Sequence, residues 1–211
     1  MNREQVRLYG ITDRHYHAGM SLAEAAEEAI IGGVSILQLR EKDLPEDELR
    51  KAVIGVRDVC RRYGVPLILD DNVELAAELG CDGVHVGQKD MPAAEARRIL
   101  GPDKILGVTA KTVEQAKAAE AAGADYLGSG AMFATNTKLD ALPMSPETLF
   151  SITQSVSIPV AAIGGLDISN IGILRGTGVA GAAVCGGIFN TPDIQAAARA
   201  LREALSEMNI K

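Results

Sequence analysis

The sequence predicts a single-domain (βα)8 TIM barrel spanning residues 1–211, and three observations carry that expectation. Eight short apolar runs alternate with eight helical patterns along the 211 residues. Runs such as Ile105-Leu106-Gly107-Val108 and Val160-Ala161-Ala162-Ile163 are nearly continuous, which suits strands buried on both faces of a parallel sheet. The units recur at roughly 20 to 30 residues with no division into halves, which favours closure over a doubly wound open sheet that shares the apolar pattern.

In chain order, a strand over 6–12 leads to an H-x-H pair, His15 and His17, and then to a helix over 21–32 that opens on Ser21 with Glu24 three residues on, a capping box. The second strand, 34–40, ends in Gln38 to Lys42 before a helix over 46–63. The third, 66–70, ends in Asp70 and Asp71 before a helix over 72–79. The fourth, 83–87, is followed by Asp90 and a helix over 92–100, and the fifth, 104–109, by a helix over 112–122. The sixth, 126–130, leads through Thr135 to Lys138 to a helix over 146–155. The seventh, 159–163, ends in Gly164-Gly165 before a helix over 168–175, and the eighth, 181–185, in Gly186-Gly187 before a helix over 192–205. Ligands of such barrels meet the carboxyl ends of the strands, where the loops open onto one mouth, so these endings locate a site.

Composition narrows the partners. Aromatic residues are only 3 % with no Trp, which argues against a stacking surface for nucleic acid. A formal net charge of −7 disfavours any polyanion bound over a wide face, so an anionic ligand must be small and met locally. Three widely spaced cysteines, Cys60, Cys81 and Cys185, read as reduced thiols. With no signal-peptide run and no apolar stretch near the ~20 residues of a membrane span, the expectation is a soluble cytoplasmic protein without a membrane partner. The sequence leaves open whether the chain works as a monomer or a homo-oligomer.

Gln38, Arg40 and Lys42 alternate and therefore share one side of their strand, with Leu39 and Glu41 on the other. If that side faces the lumen, an amide and two cations meet the mouth, although a solvated strand end of mixed charge has the same pattern. Asp71 and Asp90 follow neighbouring strands, about 5 Å apart, and can converge on one hard cation. Mg²⁺ fits, since it takes one or two carboxylates together with substrate phosphates. Asp71 equally suits capping of a helix that starts at Asn72 or Val73. Thr135-Asn136-Thr137-Lys138 offers hydroxyls and a cation to a phosphate, or forms a plain turn. The glycine pairs allow backbone N–H groups to approach an oxyanion where such barrels frequently bind phosphate, and tight turns would use the same glycines. His85, the one further histidine, lies mid-strand, where a satisfied core role outweighs metal ligation. With so few histidines and no G-x-S-x-G, neither a histidine-rich metallohydrolase site nor a hydrolase triad has support.

Clustered cations, paired carboxylates and no evident general base point to a phosphorylated leaving group that departs under electrostatic help. A second phosphate in the glycine cup would orient the nucleophile.

The chain resembles the thiamine-phosphate synthase family nearly end to end. The matching stretches are Tyr9-Gly10-Ile11-Thr12-Asp13, Q-L-R-E-K at 38–42, D-G-V-H-V-G-Q-K-D at 82–90, G-A-D-Y at 123–126, T-N-T-K at 135–138 and I-P-V-A-A-I-G-G at 158–165. The resemblance implies a (βα)8 barrel that condenses hydroxymethylpyrimidine pyrophosphate with a thiazole phosphate and releases pyrophosphate with Mg²⁺. Pyrophosphate leaves first, and the thiazole nitrogen captures the pyrimidine methyl cation. It further implies that Gln38, Leu39, Arg40, Glu41, Lys42 and Lys138 hold the pyrimidine pyrophosphate, with Arg40, Lys42 and Lys138 catalytic. Asp71 and Asp90 would ligate Mg²⁺, and Thr135, Asn136, Thr137, Gly165, Cys185 and Gly186 would hold the thiazole phosphate.

Several residues depart from the family pattern. Asp70 stands where Asn is usual, with Asn72 a candidate to supply the amide instead, and Thr109 replaces a Ser that helps bind pyrophosphate. Ala131 and Ala134 stand at common proline positions, and Gly186 at a common serine. The alternatives are a thiazole tautomerase-like isomerase paralogue and a non-catalytic phosphate-ligand-binding barrel. The retained Arg40, Lys42, Asp71, Asp90 and Lys138 speak against the first, and the presence of the metal carboxylates, which a non-catalytic barrel could lose, against the second.

Overall fold

The structure is a computed structural model and describes residues 1–13, 19–41, 44–134 and 143–208. Eight parallel strands, β1 (Leu8–Ile11), β2 (Ile36–Leu39), β3 (Leu67–Asp70), β4 (Gly83–Val86), β5 (Ile105–Thr109), β6 (Tyr126–Gly130), β7 (Val160–Ile163) and β8 (Gly181–Val184), pair in sequence order and close as a barrel when β8 meets β1. The outer layer contains α1 (Leu22–Ile31), α2 (Glu46–Tyr63), α3 (Val73–Glu78), α4 (Ala93–Leu100), α5 (Val113–Ala121), α6 (Pro146–Ser155), a short α7 (Gly186–Phe189) and α8 (Ile194–Glu207).

Strand alternation divides the core in two. Leu37, Leu39, Leu67, Leu69, Leu106 and Leu127 point outward and are buried against the helices. Tyr9, Ile36, Ile68, Tyr126, Ala161 and Ala183 fill the lumen, and Val6 and Ala180 pack beneath them at its amino-terminal end.

The helix starts follow local chemistry. Ser21 and Glu24 form the capping box of α1, with the Ser21 N–H donating to Glu24 Oε2 at 2.8 Å and the Glu24 N–H to Ser21 Oγ at 3.3 Å. Helix α2 opens on Glu46, Asp47 and Glu48 and closes on Arg61 and Arg62, charges that complement its dipole, before Gly64 ends it at φ 66°. Asn72, Thr112, Ser145 and Asp193 cap α3, α5, α6 and α8 with side-chain oxygens.

Two elements differ from the sequence expectation, and both lie beside the glycine pairs. The helix expected over 168–175 is a single 3-10 turn, Ile171–Leu174. Asp167 Oδ1 accepts from the Ser169 N–H and hydroxyl, and Asn170 Oδ1 accepts from the Asp167 N–H. These local bonds compete with a helical start, while Gly172 and Gly176 weaken its continuation. Conversely, Gly186 and Gly187 open the four-residue α7, because burial of Ile188 and Phe189 outweighs the poor helix propensity of glycine. Among the described residues no helix is long and apolar enough to cross a membrane.

Candidate active site

The carboxyl ends of the strands open onto one cavity of about 610 Å³. Gln38, Arg40, Asp70, Asp71, Asp90 and Thr109 line it from the β2 to β5 side, and Gly165, Cys185 and Gly186 from the β7 and β8 side. Nine residues singled out from sequence therefore share one space.

The first side is built from charged and polar side chains. The Arg40 guanidinium lies 3.6 Å from Asp70 Oδ2 and 3.9 Å from Asp13 Oδ2, so the carboxylate at the usual Asn position serves as its counterion. Asp71 adopts φ 59°, and its N–H donates to the His85 carbonyl at 2.9 Å. Capping of α3 falls to Asn72, whose Oδ1 accepts from the Leu75 N–H at 3.1 Å, and this leaves the Asp71 side chain to the cavity. Asn72 itself does not line the cavity, so it does not replace the missing amide at Asp70. Asp90 turns back so that Oδ2 accepts from the Gly87 N–H at 2.8 Å, while Oδ1 has no partner among the described residues. A Cβ at position 87 would stand 2.7 Å from that bound oxygen, which explains the glycine.

Beneath these groups, buried side chains form a hydrogen-bonded floor. Gln38 Nε2 lies 2.7 Å from Tyr9 Oη, which lies 2.6 Å from Tyr126 Oη. That oxygen is 3.1 Å from His85 Nδ1, and His85 Nε2 is 3.0 Å from Thr109 Oγ1. Burial is the main cause that pushes both phenols above the ordinary tyrosine range. Gly107 and Gly128 make room for the floor: a Cβ on Gly107 would come within 2.3 Å of Tyr126 Oη and 2.5 Å of His85 Nδ1, and one on Gly128 within 3.1 Å of His85 Cε1.

The opposite side is built from backbone. Gly164 and Gly165 hold φ 101° and 64°, and a Cβ at Gly165 would meet the Ala134 carbonyl at 2.8 Å. Asn170 Nδ2 fastens this turn by donating to the Gly165 carbonyl at 2.8 Å. Gly187 lets the β8 loop lie against the β7 loop, since a Cβ there would stand 2.6 Å from the Leu166 carbonyl. Leu166, Ile168 and Ala183 give this side an apolar wall.

Two expected residues among those described are not brought here. Leu39 is fully buried in the outer core against the helices, and neither it nor Glu41 lines the cavity, because the same alternation that turns Gln38 and Arg40 inward turns them away. Lys42, Thr135, Asn136, Thr137, Lys138, His15 and His17 lie outside the described residues. The cavity also holds residues that the sequence reading missed. Lys111, half-buried at its edge, has no side-chain partner among the described residues, and its position two after Thr109 was the available signal. His85 has both ring nitrogens satisfied, as a core histidine should, yet it also lines the cavity. Among the described residues no group of three or more His, Cys, Asp or Glu is poised to hold a metal. Cys60 and Cys81 are pushed up to about 12 and about 11, chiefly by burial, which keeps them as thiols.

The family described as thiamine monophosphate synthase matches residues 8–188. The chain belongs to that family. Among its relatives in this thiamine monophosphate synthase family, a thiamine-phosphate synthase of Ruminiclostridium cellulolyticum is 46 % identical over 196 residues, 93 % of each chain. Thiamine-phosphate synthase 2 of Streptococcus pneumoniae is 45 % identical over 205 residues, 97 % of this chain and 98 % of the relative. The solved structure of thiamine phosphate pyrophosphorylase from Pyrococcus furiosus superposes with a TM-score of 0.89 at 36 % identity and covers 98 % of both chains. The likeness noted from motifs thus extends across the whole barrel.

Proposed function

We propose that the enzyme joins hydroxymethylpyrimidine diphosphate to a thiazole phosphate, giving thiamine phosphate and pyrophosphate. What supports this most is a single cavity with two unlike sides, one of charged side chains and one of glycine backbone, in a chain of this family. The bond from the pyrimidine methylene to the diphosphate oxygen breaks with its electron pair leaving on oxygen. The thiazole nitrogen then uses its lone pair to bond the carbon. No proton moves in either step, which agrees with a site that has no evident general base.

Arg40 would meet the charge that grows on the departing oxygens, and Thr109 would donate a hydrogen bond to them. The turns at Gly165 and Gly186 would hold the thiazole phosphate so that its nitrogen faces the carbon. By family resemblance, Lys42 and Lys138 join Arg40 at the diphosphate, and Thr135, Asn136 and Thr137 join the glycines at the thiazole phosphate. The donor set fits Mg²⁺, a hard cation that takes one or two carboxylates together with substrate phosphates, and Asp71 and Asp90 would hold it. Bound there, the ion would supply positive charge to the leaving group. We assign the work to the cytoplasm, on small phosphorylated substrates.

The test is pyrophosphate release when the pure protein meets both substrates with Mg²⁺. Stoichiometric release with thiamine phosphate is expected. Its absence eliminates the transferase, and turnover of a thiazole alone without pyrophosphate would indicate the isomerase instead.

A further inference from the structure

Building on the transferase function proposed above, we infer that the buried chain from Gln38 through Tyr9, Tyr126 and His85 has one direction and that its end product is a Thr109 hydroxyl whose proton is aimed into the cavity. Tyr126 and His85 are then positioning residues for the leaving diphosphate.

The direction follows from counting donors. The Gln38 amide nitrogen can only donate, so at 2.7 Å the Tyr9 oxygen accepts from it. The Tyr9 hydroxyl proton is left for Tyr126 Oη at 2.6 Å, and the proton of Tyr126 for His85 Nδ1 at 3.1 Å. His85 therefore accepts at Nδ1 and carries its hydrogen on Nε2, which donates to Thr109 Oγ1 at 3.0 Å. Thr109 Oγ1 has no other partner among the described residues, and the residue lines the cavity. Its own hydrogen thus has no acceptor among the described residues.

Surroundings fix this order. Tyr9, Gln38 and Tyr126 are each at most 3 % exposed, so bulk water does not offer them competing partners. The Tyr9 and Tyr126 rings meet edge to face at 5.6 Å, and Gly107 leaves the gap into which Tyr126 Oη and His85 Nδ1 fit. Gln88 Nε2 donates to the Thr109 carbonyl at 2.6 Å and holds the strand end in place. Reversing the chain would turn the Thr109 proton toward His85 and leave only the lone pairs of that hydroxyl facing the cavity.

Two measurements test the inference. Nitrogen NMR of the wild-type protein labelled at histidine, with His85 assigned by its loss in His85→Gln, should show a protonated Nε2 and an unprotonated Nδ1. The opposite pattern overturns the proposal, and this measurement needs no substrate. In kinetics, Thr109→Val should lower kcat/KM for the pyrimidine diphosphate roughly tenfold or more, as expected for a lost hydrogen bond to a charged group. Tyr126→Phe should lower it several-fold in the wild-type background but less than twofold in the Thr109→Val background, because its effect passes through the same hydroxyl. Equal effects in both backgrounds would make Tyr126 merely structural and overturn its positioning role. If wild-type protein releases no pyrophosphate, the transferase function fails, and the NMR result alone decides the chain.

Discussion

The two sides of the cavity are made of different materials. From β2 to β5 the site is side chains: Arg40, Asp70, Asp71, Asp90 and Thr109, set above a hydrogen-bonded floor. From β7 to β8 it is turns, in which Gly164, Gly165 and Gly187 allow close backbone approach. Substitution on the first side should therefore change chemistry while the barrel stands, whereas substitution on the second should change shape before it changes charge.

The largest effect is expected at Arg40. Arg40→Gln should lower kcat by about 100-fold, the scale of losing one preorganised donor to a developing anion. Thermal melting should shift little, since the side chain is no part of either hydrophobic core. A melting point that falls in step with activity would erase the distinction between the sides.

Next comes a contrast within the glycine side. Gly165→Ala places a Cβ 2.7 Å from Phe133 Cβ at a left-handed φ of 64°, and should cost at least about 1 to 2 kcal/mol in urea unfolding. Gly186→Ser meets nothing nearer than Asn190 Cβ at 3.9 Å and should stay within about 0.5 kcal/mol of wild type. Equal costs would show that packing does not set the demand for glycine.

Asp70→Asn sharpens the other side. With the carboxylate 3.6 Å from Arg40 removed, more of the cation's charge reaches the diphosphate, and KM for that substrate should fall a few-fold, the scale of about 1 kcal/mol for a partly screened pair. An unchanged or higher KM would mean that Asp70 orients Arg40 instead of competing for it.

Sequence carried the fold and the first side well, because strand alternation and strand-end chemistry are local. Gln38, Arg40, Asp71 and Asp90 were legible for that reason, and the same alternation correctly separates Leu39 from the mouth. The floor was not legible. Tyr9, His85 and Tyr126 lie on three strands, and only barrel closure brings their polar atoms within reach. The turn at Ile171–Leu174 and helix α7 were misread because side-chain bonds of Asp167 and Asn170, and burial of Ile188 and Phe189, overrode local pattern.

The floor also predicts a pH dependence, confined to alkaline solution. Burial raises the Tyr9 and Tyr126 phenols above their unfolded value of about 10, so above that pH the unfolded chain loses protons that the folded chain keeps. Their contribution is complete below pH ~10 and declines as pH rises, by up to about 1.4 kcal/mol per pH unit for each phenol. Tyr9→Phe should flatten the fall of unfolding free energy between about pH 10 and 11 relative to wild type. Parallel curves would place the phenols outside the linkage.

The division of labour is tested most directly by calorimetric titration of the thiazole phosphate into protein already saturated with magnesium pyrophosphate. Two separate anion sites predict that the thiazole phosphate still binds at one equivalent, with pyrophosphate retained. Displacement of pyrophosphate as the thiazole phosphate binds would mean one shared site and would contradict the account.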